Sequence, residues 1–395
     1  MILGAMPSSM LNHPDYLLSA ERRPVIGTII AALVLAGCQT TVVPRVAVAP
    51  PVPVPLGRAS QPIPPRPLPP PAPAGLVQAI DQLQRNFGGK VGIAVASVDR
   101  RWQVAANGDL PLPQQSVSKL WVAMTVLDQV DRGRLSLDAP VTVTREDLTL
   151  FHQPIAAMVR GDGYKTTIAD LLQRALTMSD NTANDRLLRL AGGPDAVRLF
   201  ITARGLGTIR FGPGERALQS RTAGLEWKPE YAEGANFVRA RAALPIAARW
   251  NAYRAYVADP PDGAAPLAIA GALARLKRGE LLSPASTRYL IGTMEASRTG
   301  RMRLRGAVPA GWSFGHKTGT GQDLERHTAG YNDVGLLHAP DGRSYAIAVM
   351  IGDTDKPIAA RQALMQQVVA SVIAAHGPVG TPLAGPGGLA VVPAG

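Results

Sequence analysis

Apolar residues recur at helical spacing from Leu76 to Phe87, and Gly88-Gly89 end the run. Lys90–Val98 alternates and is rich in β-branched residues, which predicts a strand; Asp99-Arg100 turns the chain into a second strand near Trp102–Ala106. From Ser116 the helical period returns. Leu120, Ala123, Met124, Leu127 and Val130 share one face, and Gly133 stands just past the end. Helices are expected over Thr167–Leu176, where Thr-x-x-Asp resembles a capping box, and over Asn181–Leu190 and Pro194–Arg204. Two more follow at Pro266–Lys277 and Pro284–Ala296, the second with Ser283 as N-cap and Pro284 at the first helical position. The pattern then changes to strands at Trp312–Lys317, Thr328–Leu337 and Ser344–Ile351, the last two joined by an Ala-Pro-Asp-Gly-Arg turn at 339–343. A helix over Pro357–Ala375 completes the series. Residues 220–262 keep no clean period and gather Trp227, Tyr231, Phe237, Trp250 and Tyr253.

Strands at both ends enclosing a helical middle predict an α+β fold. One antiparallel sheet of about five strands is assembled from both chain ends and flanked by terminal helices, with an all-helical lobe inserted between them. The expected divisions are a catalytic domain over 76–376, its α/β part at 76–112 and 308–376, its helical lobe at 113–307 with an insertion near 220–262, and a loose Pro/Gly-rich tail at 377–395.

Composition changes the picture mainly before residue 76. Arg22-Arg23 precede an apolar run from Val25 to Ala36, too short for a permanent membrane span and of the length of a signal peptide. The run closes on Leu35-Ala36-Gly37-Cys38, which resembles the lipobox of bacterial lipoproteins. That resemblance implies a signal peptide over 1–38, lipidation of Cys38 and, with Gln39 following, an outer-membrane anchor facing the periplasm. Met10 is an alternative start. From Pro44 to Pro73 proline recurs every two or three residues, so the linker at 39–75 favours extended polyproline II and acts as a tether of roughly 90 Å at ~3.1 Å per residue. The net charge of +12 is scattered, with no Lys/Arg run interleaved with aromatics; this argues against nucleic acid and for a modest affinity towards anionic envelope polymers. Cys38 is the only cysteine and the six histidines are dispersed, so neither an intramolecular disulfide nor a metal site is expected, and no cofactor is implied.

Three short motifs carry chemistry. Ser116 and Lys119 stand three apart on a predicted helix and share a face, so the lysine can take the proton of a serine nucleophile, provided that burial and nearby cations keep it neutral part of the time. Ser179-Asp180-Asn181 falls at a helix start, where it can cap the helix or offer the Ser179 hydroxyl for proton relay and the Asn181 amide to a substrate amide. Lys317-Thr318-Gly319 ends a strand. Lys317 can fix a substrate carboxylate, Thr318 adds a hydroxyl, and Gly319 permits close backbone approach. The backbone N–H groups of Ser116 and Thr320 are candidates for an oxyanion hole.

Together these residues resemble the penicillin-recognising serine enzymes, most closely the class A β-lactamases, over about residues 77–375. The run Thr167-Ile-Ala-Asp-Leu-Leu, Gly192-Gly-Pro, Gly279-Glu-Leu-Leu-Ser283, Val308-Pro-Ala-Gly-Trp312 and Asn332-Asp-Val-Gly extend the likeness. The resemblance implies hydrolysis of β-lactams through an acyl-enzyme on Ser116, with Lys119, or Glu215 through a water, as acylation base, and Glu215 as the base for deacylation. Glu215-Arg-Ala-Leu218-Gln219 departs from the family's Glu-x-x-Leu-Asn: Gln219 replaces the asparagine that helps hold the water, and Pro213 replaces a bracing arginine. Two alternatives share parts of the pattern. One is a D-alanyl-D-alanine peptidase or penicillin-binding protein with slow deacylation; the other is a non-catalytic peptidoglycan-binding lipoprotein. The expected partner is thus a β-lactam or peptidoglycan-like substrate, reached by a monomer tethered to the membrane.

Overall fold

The computed structural model describes residues 69–377; the signal-type segment, Cys38, most of the proline run and the tail from 378 lie outside the described residues. Five strands form the main sheet: β1 (Lys90–Ser97), β2 (Gln103–Ala106), β3 (Ser313–Thr320), β4 (Tyr331–His338) and β5 (Ser344–Asp353). Their order is β2-β1-β5-β4-β3, antiparallel throughout, so the first strand of the chain pairs with the last.

The alternation read in β1 is one of size. Val91, Ile93 and Val95 point towards α1 (Ala74–Phe87) and α11 (Ile358–Ala374), where they meet Leu76, Ile80, Met365 and Val369. Ala94 and Ala96 lie on the opposite face in the core shared with the helical lobe. Both faces are buried, which explains why no polar side chain stands between Lys90 and Ser97.

The lobe is built on α2 (Lys119–Asp131), whose residues from Lys119 to Asp128 are all buried. An amphipathic helix with one apolar face was the expectation; Trp121, Val122 and Val126 fill the other side, making α2 the lobe's central helix. It packs against α4 (Asn181–Leu190), α5 (Gly193–Ala203) and α10 (Pro284–Glu295). The helix α3 (Ile168–Gln173) starts at Thr167, whose side chain accepts from the Asp170 N–H, and passes into a π-helical turn over Arg174–Met178. The α9 helix (Pro266–Lys277) lies on the alanine face of β1 and β5.

The aperiodic stretch is helical. After α6 (Glu215–Thr222) come a short turn, α7 (Asn236–Ala243) and α8 (Ile246–Ala258). Of α7 only Phe237 is buried, and of α8 only Tyr253, Tyr256 and Val257. Single aromatic anchors of this kind leave no repeating apolar stripe to read.

Candidate active site

Ser116 lies in a 3₁₀ turn (Gln115–Ser118) ahead of α2, not in the α-helix itself. The turn is entered through Gln115 at φ +53°, a left-handed conformation that costs a non-glycine residue about 1 kcal/mol. Several bonds hold it there. The Gln115 N–H donates to Asp262 Oδ2 at 2.7 Å, and its side-chain amide donates to the Tyr256 hydroxyl at 2.7 Å and the Ala329 carbonyl at 3.2 Å. Burial pushes the Asp262 carboxyl up to about 6.

Lys119, fully buried, has three donors and three acceptors to meet them. Its Nζ stands 2.7 Å from Ser116 Oγ and 2.8 Å from Asn181 Oδ1, and it contacts Glu215 Oε1. Glu215 is 3% exposed and is the first residue of α6. Its backbone N–H and that of Arg216 donate to the Asp185 carboxylate at 2.9 and 3.3 Å. Burial, then the Glu215 charge, raises the Asp185 carboxyl to about 6. One turn further along α6, Gln219 Nε2 donates to Glu215 Oε2 at 3.2 Å and to Gln115 Oε1 at 3.0 Å. Gln322 Nε2 donates in turn to the Gln219 backbone carbonyl at 2.7 Å and to Gln219 Oε1 at 3.1 Å. In the place of the arginine expected to brace this loop, Arg216 donates to the Leu148 carbonyl at 3.2 Å and lies 5.3 Å from the Trp227 ring centroid.

The Ser-Asp-Asn triplet divides its work. Asp180 is the N-cap of α4, accepting from the N–H groups of Ala183 at 2.9 Å and Ile155 at 2.6 Å. Capping by Asp180 leaves Ser179 free to adopt a left-handed conformation, φ +60°, after the π-helical turn. The Lys317 ammonium donates to Ser179 Oγ at 2.9 Å and to the Thr318 carbonyl at 2.8 Å. Burial lowers the Lys317 pKa well below the ordinary lysine range; the Lys119 charge adds to this, and Glu215 opposes it. Asn181 is bound to protein on both amide atoms, accepting from Lys119 and donating to the Leu150 carbonyl at 2.9 Å. One N–H remains for a substrate.

The strand β3 runs on through Thr320 at the edge of the sheet, past the expected end at Lys317. Thr318 Oγ1 meets Thr299 Oγ1 at 2.8 Å. Gly319 has a packing use in addition to the ligand approach expected of it. A Cβ there would stand 2.3 Å from the Gln114 carbonyl oxygen, so its missing side chain lets β3 pack against the nucleophile's turn.

Arg303 belongs to this group and was not singled out in the sequence. It is 8% exposed, donates to the Gly319 carbonyl at 2.9 Å and to Thr320 Oγ1 at 2.6 Å, and lies 3.8 Å from the Tyr331 ring centroid. No local signal separates it from Arg298, Arg301 and Arg305, which crowd the same loop. A cleft of about 520 Å³ joins the parts: Ser116, Ser179, Asn181, Gln219, Thr318 and Thr320 all line it. Two serines thus open on a space that fits a small molecule, each bonded by a buried lysine: Ser116 by Lys119, which is paired with a carboxylate, and Ser179 by Lys317.

The sequence profile of the β-lactamase enzyme family matches residues 75–375. The chain is 32% identical over 279 residues to the extended-spectrum β-lactamase PER-1 of Pseudomonas aeruginosa, an alignment covering 70% of this chain and 80% of that protein. Among solved structures, a β-lactamase from Chitinophaga pinensis superposes with a TM-score of 0.63 at 29% identity, covering 76% of this chain and 99% of the other. An ancestral class A β-lactamase gives a TM-score of 0.59 at 31% identity, with coverages of 76% and 99%.

Proposed function

The chain belongs to the β-lactamase enzyme family, and from that premise we propose that it is a class A serine β-lactamase hydrolysing the lactam amide through an ester on Ser116. The observation that carries the reading is the contact of the Lys119 ammonium with both Ser116 Oγ and Glu215. Lys119 hands a proton to Glu215 and, as the neutral amine, takes the Ser116 proton while Oγ attacks the lactam carbonyl carbon; Glu215 gives its proton back once the ring nitrogen has been protonated. The negative charge on the carbonyl oxygen is met by the N–H groups of Ser116 and Thr320. As the C–N bond breaks, the ring nitrogen takes a proton through Ser179, which Lys317 holds by a hydrogen bond. Lys317 and Thr318 face the ring carboxylate, with Arg303 adding positive charge from beneath Thr320.

In the second half Glu215 takes a proton from water, the resulting hydroxide attacks the ester carbonyl, and Ser116 leaves with a proton. Gln219 helps to place that water, since its amide already bonds Glu215 Oε2. Glu215 is what favours this reading over a peptidase whose ester persists. Mixing the protein with a chromogenic cephalosporin is expected to give sustained colour and no lasting mass adduct. A stable adduct on Ser116 would move the assignment to a D-alanyl-D-alanine peptidase, and neither colour nor adduct would remove the enzyme altogether.

We also propose that the enzyme works in the periplasm, held to a membrane by a lipidated Cys38 and spaced from it by the proline-rich segment. The support is the Leu35-Ala36-Gly37-Cys38 sequence after an apolar run of signal length. On expression of the full chain, Cys38→Ser is expected to shift activity from the membrane fraction to the soluble one; an unchanged distribution would contradict the anchor.

A further inference from the structure

The helix α7 touches both walls of the cleft. Phe237 and Arg241 are four residues apart and share a face. The Phe237 ring meets Phe151 edge-on, with centroids 5.0 Å apart, and Arg241 Nη2 donates to the Asp323 carbonyl at 2.5 Å. Phe151 and Asp323 line the cleft, as does Arg241 itself, beside Gln219 and Gln322.

The Arg241 guanidinium has no ion-pair partner among the described residues, and its buried Nε has no hydrogen-bond partner. Asp323 acts on it only at longer range, since a carboxylate oxygen of Asp323 accepts from Thr328 Oγ1 at 2.5 Å. Arg249 of α8 adds like charge, and its own Nε is also without a partner. Partial burial of a guanidinium is unfavourable unless an anion joins it. Here the open side is the cleft.

The carboxylate on a β-lactam ring already has Lys317, Thr318 and Arg303 at the β3 side. With the free Asn181 N–H meeting the substrate's acylamino group, the substituent on that group has the part of the cleft lined by Gln219 and Arg241. We propose that Arg241 forms a second anion-binding subsite, which selects β-lactams whose acyl side chain carries a carboxylate. This rests on the β-lactamase reading above.

The test uses two cephalosporins with the same ring and leaving group, one with a side-chain carboxylic acid and the other its methyl ester. For the wild type, kcat/KM is expected to favour the acid by roughly tenfold, the scale of one charge-assisted hydrogen bond. In Arg241→Gln the ratio falls towards one, mainly through a higher KM for the acid, whereas Arg241→Lys keeps part of the preference. A ratio unchanged in Arg241→Gln, or an equal loss on both substrates, would overturn the subsite while leaving the β-lactamase assignment standing. Absence of turnover and of adduct with both substrates in the wild type would overturn the assignment, and the subsite with it.

Discussion

Glu215→Gln is expected to convert turnover into a trapped ester on Ser116, with steady-state hydrolysis lowered about 10³-fold, the middle of the range for losing a general base. Glutamine keeps the shape and its carbonyl oxygen can still accept from Lys119, but its amide nitrogen then faces the Gln219 donor and it cannot take a proton from water. Lys119 remains beside Ser116 Oγ at 2.7 Å, and its neutral amine can take the hydroxyl proton, so acylation survives. The two half-reactions should therefore separate. A burst of colour equal to the enzyme concentration would be followed by a slow phase, and mass spectrometry would find the adduct long after mixing. Hydrolysis within tenfold of the wild type, with no adduct, would place the deacylating base elsewhere.

The second large effect is expected from Lys119→Met, in stability as well as rate. Glu215 has Lys119 as its ion-pair partner, and both side chains are almost wholly shielded from water. Removing the cation leaves a buried carboxylate uncompensated, at a cost of about 3–5 kcal/mol. It also takes a hydrogen bond from Ser116 Oγ and from Asn181 Oδ1, so acylation should fall by at least roughly 10³-fold. The double variant Lys119→Met/Glu215→Gln should recover much of the lost stability, because the stranded charge has gone, yet remain inactive. Urea denaturation of the wild type, both single variants and the double variant gives the coupling directly. Equal stability of Lys119→Met and the double variant would show that the charge was not what destabilised the single one.

Much of this arrangement was legible because periodic segments frame it. The Asn181–Leu190 helix and the β-strands near both ends follow from apolar spacing, and their order implies the sheet. The nucleophile and its lysine were readable because three helical residues suffice to bring them together. Glu215 was reachable only by likeness to a family, since nothing in its local pattern distinguishes it from a solvated loop acid. Arg303 and Arg241 were not legible at all. Their roles depend on which of several neighbouring arginines the loop or helix turns inwards, and that is decided by tertiary contacts with Tyr331 and Phe151. Gly319 is the reverse case: it was singled out in the sequence, but its packing against the Gln114 carbonyl could be seen only in the fold.

The order of strands has a consequence for how such a chain matures. Ser116 stands at the start of the helical lobe and Lys317 follows it, and in the sheet β5 lies between β1 and the β4–β3 pair that carries Lys317. Until the segment ending at Asp353 has been synthesised, β1 has no partner on that side, and nothing in the sheet ties the two halves together. Such distant pairing makes closure a slow, late step. The cleft should thus be among the last parts to form, so a chain truncated before β5 would carry every catalytic side chain and still lack an active site.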